Sequence, residues 1–176
     1  MPDEGPNFAD GSVDLLKIMM LAGAAVGIIS VFLVWFSWDP AAPWFNYTGY
    51  DLFMNARENS PYSGLFSYMP LTILIASAVA AAASVLSFTK RERNGAIFGM
   101  VSGAAVLASA LTYILYPLSM IKITEPGGGY IITDIRPMDY MDAGPYSALV
   151  AGAFLILGGA AVLLRARTGA GDQEHD

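Results

Sequence analysis

Polar and apolar positions in this chain fall into long blocks rather than a helical or strand-like alternation. Four blocks are almost wholly apolar, at about residues 15–38, 68–88, 95–117 and 146–164, and none holds an ionisable side chain away from its ends. Each is close to the ~20 residues a helix needs to cross the hydrocarbon core of a bilayer. Helices satisfy their own backbone hydrogen bonds, which is what lipid demands of a spanning segment. The pattern predicts an all-α membrane protein: a four-transmembrane-helix bundle, with spans at 14–38, 68–88, 95–117 and 146–166, and a small extracellular cap containing a β-hairpin. An acidic tail (1–13), a long loop (39–67), a basic turn (89–94), a second long loop (118–145) and a polar tail (167–176) complete the chain.

The first block reads as a retained helix. Asp3, Glu4, Asp10 and Asp14 precede it with no base before Lys17, and its apolar stretch is longer than a signal-peptide core. Of the nine basic residues, Lys17, Lys90, Arg91, Arg93, Arg165 and Arg167 fall on one side of the predicted membrane. Arg57, Lys122 and Arg136 are spread over the two long loops on the other. The positive-inside rule then predicts a multi-pass protein of the cell membrane with both termini cytoplasmic and both long loops outside. Trp35, Phe36, Trp38 and Trp44, with Tyr68, Tyr113, Tyr116 and Tyr146, mark the expected outer interface, where amphipathic aromatic rings collect.

Two elements are expected in the outer loops. A short helix is predicted from about Gly49 to Asn55. In the second loop, β-prone stretches at 120–125 and 130–135 flank Pro126-Gly127-Gly128-Gly129, a strong hairpin signal over 120–135. An isolated hairpin is marginal, so the first loop is the expected source of a third strand or a covering surface. Trp44, Tyr50 and Tyr130 are the candidate interaction residues of this cap. Asn46-Tyr47-Thr48 is a glycosylation sequon, which makes Asn46 a candidate modification site.

Within the membrane, close van der Waals packing between small residues must hold the helices together. Gly23 and Gly27 supply such a surface on the first span, Gly95, Gly99 and Gly103 on the third, and Gly152 on the fourth. These glycines are the candidate packing and assembly residues, serving either the bundle itself or a seam to a second protomer.

The remaining chemistry is sparse. The chain of 176 residues is 55% hydrophobic and 14% charged, with a net charge of −6. An acidic balance disfavours nucleic acid as a partner, because phosphates require Lys and Arg. There is no cysteine, so disulfides, thiolate catalysis and cysteine metal sites are excluded. The single histidine, His175, lies in the polar tail, and the spans offer hydroxyls but no acid, base or His for coupled transport. Gly127-Gly128-Gly129 lacks the lysine and the strand–helix setting of a phosphate loop. Asp134, Asp139 and Asp142 do not have the spacing of a calcium loop. No enzyme activity, catalytic residue, metal or cofactor is expected. The expected role is structural or accessory, through a homo-oligomer or a hetero-complex with a membrane partner. The alternative is an oligomeric channel or small-solute transporter subunit.

The layout resembles the claudin-like tetraspan superfamily: cytoplasmic termini, a longer first outer loop, a short inner turn, and tryptophans at 35, 38 and 44 around the outer end of the first span. The resemblance covers the whole chain as architecture and implies a small extracellular sheet. The family's Gly-Leu-Trp element and loop-one cysteine pair have no counterpart here, so no functional residue carries over.

Overall fold

The first apolar block folds as two elements. The computed structural model describes residues 8–37, 46–54, 68–89, 91–115, 121–125, 128–132 and 141–171. Helix α1 (Phe8–Ser30) begins within the acidic tail and stops at Ser30, and the chain turns into strand β1 (Val34–Ser37). A helix continuing to residue 38 is therefore corrected. Val31-Phe32-Leu33-Val34-Trp35-Phe36 is β-branched and aromatic, and so short an apolar run has no period that separates helix from buried strand. Ser30 weakens the helix further: its Oγ donates to the Gly27 carbonyl at 2.7 Å, a local bond that competes with the helical ladder.

Strand β1 pairs antiparallel with β2 (Asn46–Thr48), Val34 opposite Thr48 and Ser37 opposite Asn46. The register shifts between Val34 and Phe36. This irregularity explains an otherwise forbidden pattern. Trp35 and Phe36 are sequence neighbours yet both are buried, at 0% and 2% exposure. A regular strand would send them to opposite faces, whereas a bulge re-aims one of them. An isolated bridge from Phe36 to Met141 then ties β1 to the segment entering the last helix.

Helix α2 (Gly49–Met54) follows β2 directly, where a short helix is expected. It starts on a reciprocal cap. The Asp51 amide donates to Thr48 Oγ1 at 3.1 Å, while the Thr48 amide and hydroxyl donate to Asp51 Oδ2 at 3.0 and 2.7 Å. Thr48-Gly-Tyr-Asp51 is thus a capping box with Asp in the place of the usual Glu.

The remaining blocks form α3 (Met69–Ser87), α4 (Glu92–Leu115) and α5 (Ala143–Gly171). All three are long and apolar enough to cross a membrane. Pro70 stands at the start of α3, where its missing N–H has no helical partner to lose. Helix α5 runs past the expected end at 166, to Gly171.

Strands β3 (Ile121–Glu125) and β4 (Gly128–Ile132) form the expected antiparallel hairpin, Ile123 opposite Tyr130. Its connection is tighter than the glycine run suggests, since Gly128 and Gly129 already pair with Glu125 and Thr124. The two strand pairs are separate sheets among the described residues. No third strand from the first loop joins the hairpin there; β2 pairs with β1 instead.

Helices α1, α3, α4 and α5 close a four-helix ring in which α4 packs on α3 and α5, and α1 packs on α5 and α3. Its core has two centres. One gathers Met20, Ala24, Ala80, Ala96, Leu155 and Val162. The other surrounds Trp35 with Val31, Ile73, Val106, Tyr113 and Ala148.

Candidate functional site

The most constrained site lies at the Trp35 end of the bundle, where four helices converge on one indole. Trp35 Nε1 donates to the Ser30 carbonyl at 2.7 Å. Its ring meets Tyr113 of α4 edge-on, with centroids 4.7 Å apart and planes at 76°. Gly49, opening α2, lies so close that a Cβ there would stand 2.8 Å from Nε1 and 2.8 Å from the Val31 carbonyl. Gly144, in the first turn of α5, lies against the same pyrrole edge, and a Cβ there would overlap Cδ1 and Nε1. The bulge that turns Trp35 inward and the two glycines that admit it form one device. It fastens the end of α1 to α2, α4 and α5.

This corrects the reading of Trp35, Phe36 and Tyr113 as belt residues: all three are buried in the core. Tyr68 and Tyr146 are exposed, as the belt expectation requires, while Trp38, Trp44 and Tyr116 lie outside the described residues. One sequence signal of the device is the Thr48-x-x-Asp51 capping box; Gly144-Pro145 marks the helix start but not the close approach of the indole.

The six candidate packing glycines all face this chain's own helices. Gly23 meets Phe154 and Ala151 of α5, and Gly27 lies beneath Ser77 of α3. Along α4 the stripe is shared among three partners: Gly95 against Ala83 and Ser87 of α3, Gly99 against the Met20 methyl of α1, Gly103 against Leu155 and Gly152 of α5. Gly152 in turn packs on Gly103 and Leu107. The α4 stripe is thus filled from within and is not a free face for a second copy.

Three buried serines turn back onto their own helix: Ser30, with Ser84 Oγ to the Ala80 carbonyl at 2.7 Å and Ser87 Oγ to the Ala83 carbonyl at 3.1 Å. Ser77 Oγ and Tyr113 Oη are buried with no hydrogen-bond partner among the described residues. At the opposite end, Lys17 Nζ of α1 reaches Glu92 Oε1 of α4 at 3.4 Å and stands 5.7 Å from the ring centre of Phe88. Among the described residues no three His, Cys, Asp or Glu side chains converge as a metal site would require.

The loop candidates are dispersed. Tyr50 is exposed on α2 and stacks on Phe32, with centroids 5.9 Å apart. Tyr130 lies in β4. Asn46 lies in β2, where Ser37 Oγ donates to its Oδ1 at 2.7 Å, so its amide group already has a partner across the strand pair. Comparison with family models, curated proteins and solved structures finds nothing that matches this chain.

Proposed function

We propose that this chain is a four-span membrane protein of structural or accessory type. It acts by self-association or as a subunit of a larger membrane complex. In this reading α1 is the fourth span and both termini are cytoplasmic. The β1–β2 pair, α2 and the β3–β4 hairpin stand on the outer side, in a claudin-like arrangement.

The observation that carries it is the filled interior. Met20, Leu155, Val106, Ile73 and Trp35 are fully buried in succession through the ring. Among the described residues the one charged side chain buried there, Lys17, is at an end and paired with Glu92. A ring packed with apolar side chains is built to persist, whereas a solute path needs polar groups or water along it. The orientation has support of the same kind. Lys17 touches Glu92 beside Arg91 and Arg93, and Gly159 lies against Ala96 and Met100, which brings Arg165 to the same end. Four basic residues at one end are what a cytoplasmic face carries. The outward faces of α3 and α4, with Ile75, Val79, Phe98 and Val101 exposed, remain for lipid or a partner.

Native mass spectrometry of the protein, gently extracted from its own membrane, tests this reading. A ladder of identical subunits supports self-assembly, and co-eluting foreign chains support the accessory role. A bare monomer overturns it. Ion or solute flux into liposomes holding only this protein would replace it with an oligomeric channel or transporter subunit.

A further inference from the structure

The apolar helical stretch of α1, Leu15–Ser30, is about 24 Å long at 1.5 Å per residue. The hydrocarbon core is ~30 Å thick. The apolar stretch of α4 behind its polar first turn, Gly95–Leu115, spans about 32 Å. If α1 crosses the same bilayer, its lipid-facing height falls short at the Trp35 end by about 6 Å.

We propose that Phe32 and helix α2 supply that missing height. The surface of Phe32, Tyr50, Phe53 and Met54 lies in the interfacial layer of the outer leaflet, against lipid rather than water. This inference rests on the four-span reading.

The exposed side of α2 is the first argument. Tyr50 and Met54 share one face of the helix, and Phe53 is half-buried beside them. A helix lying in water carries polar residues outward, yet Met54 is 51% exposed and the neighbouring Phe32 55%. Phe32 stacks on Tyr50, and Tyr50 meets Phe53 edge-on at 5.9 Å. The patch continues directly from Ile29 on the exposed face of α1. The one acid of α2, Asp51, is turned onto Thr48. Tyrosine, with an apolar ring and a polar tip, is the residue type of such a boundary.

The backbone provides a second, independent argument. Non-helical chain survives at membrane depth only where its polar groups are satisfied by protein. The turn after α1 meets that condition. The amides of Val31, Phe32 and Leu33 donate to the carbonyls of Ile28, Ile29 and Ser30 at 3.3, 2.9 and 3.3 Å. The Val31 carbonyl accepts from the Tyr50 amide at 2.9 Å, and that of Leu33 from the Gly49 amide at 3.3 Å. Water could have served these carbonyls. Instead the first turn of α2 is spent on them, which also fixes α2 across the end of α1.

Because the chain has no cysteine, a single substitution carries a single spin label. The full chain with Ile29→Cys or Met54→Cys, both at exposed positions, is labelled and placed in phosphatidylcholine vesicles. Collisions of the label with oxygen, which partitions into lipid, are compared with those of a water-soluble nickel chelate. The expected result is an oxygen-to-chelate ratio at Met54 several-fold above that of the label free in water and below that at Ile29. A water-like ratio at Met54 with a lipid-like one at Ile29 overturns this inference alone. Water-like ratios at both positions overturn it together with the four-span reading. Protection of Met54 from both reagents also overturns it, because protein would then cover the patch.

Discussion

The indole Nε1 of Trp35 donates to the carbonyl oxygen of Ser30 at 2.7 Å, closing the last turn of α1 with a side chain from the strand that follows it. The last carbonyls of a helix lack intrahelical partners, and an apolar setting makes an unmet one costly. Trp35→Phe removes this donor, keeps an aromatic ring and leaves the Ser30 carbonyl only the longer bond from the Leu33 amide at 3.3 Å, so we expect a loss of about 1 kcal/mol. Trp35→Ala also opens a cavity between Tyr113, Gly49 and Gly144, at about 3–5 kcal/mol. Reversible unfolding in mixed micelles at rising denaturing-detergent fraction reads both. No loss for Trp35→Phe would show that the hydrogen bond contributes nothing, and equal losses for the two variants that the packing of the ring adds nothing.

Contact between Trp35 and Gly144 makes a coupled prediction. A methyl group at Gly144 would enter the space of the indole, and a rigid ring held by Ser30, Gly49 and Tyr113 cannot retreat. Gly144→Ala should cost about 1–3 kcal/mol by overpacking. In a Trp35→Leu background the smaller side chain leaves room, and most of that penalty should vanish. A double-mutant cycle measures the difference, and strict additivity would show that the two residues do not press on each other.

Helices α3, α4 and α5 are legible because an apolar block of some twenty residues has one way to satisfy its backbone in lipid. Their glycine contacts are legible only as a class. Spacing marks Gly95, Gly99 and Gly103 as a small face, but which helix fills each position depends on how the ring closes. The first block is where local pattern fails. Whether residues 31–37 continue α1 or leave it is decided by Gly144 and Gly49, which admit Trp35 from far along the chain. A non-local contact of that kind has no periodic signature. Trp35 and Tyr113 read as belt residues for the same reason: their sequence positions near span ends are right, and their burial depends on partners elsewhere.

Along α4 the glycine stripe gives a graded prediction. A methyl group on Gly99 would meet the end of the flexible Met20 side chain, whereas one on Gly103 would stand 2.6 Å from Leu155 Cβ and 3.0 Å from the Gly152 carbonyl. Methionine can move aside, and alanine is the better helix former, so Gly99→Ala should change stability by less than about 1 kcal/mol. Gly103→Ala should lose about 1–3 kcal/mol, because backbone must shift. Ala104→Leu, on the outward face of α4, should leave the protomer's stability unchanged within about 0.5 kcal/mol. The same micellar titration ranks the three. Loss of oligomer without loss of stability in Ala104→Leu would locate a protein contact on that face.

Lys17 and Glu92 form the last test, because their environments differ. The Lys17 side chain is 11% exposed and that of Glu92 35%. Removing the less buried member strands the more buried one. Glu92→Gln leaves the Lys17 ammonium beside Phe88 with no carboxylate. Its cost should fall between that of an exposed and a fully buried pair, at about 1–2 kcal/mol. Lys17→Met leaves Glu92 with access to water and keeps the apolar stem packed, so it should be nearly neutral. The double variant Lys17→Met/Glu92→Gln should then recover most of what Glu92→Gln alone loses, since no charge remains stranded. If the double variant is no more stable than Glu92→Gln, the pair is a surface contact and Lys17 reaches water by another path. The ordering of the three variants, read at low and high salt, separates these cases because screening reaches an exposed pair and spares a buried one.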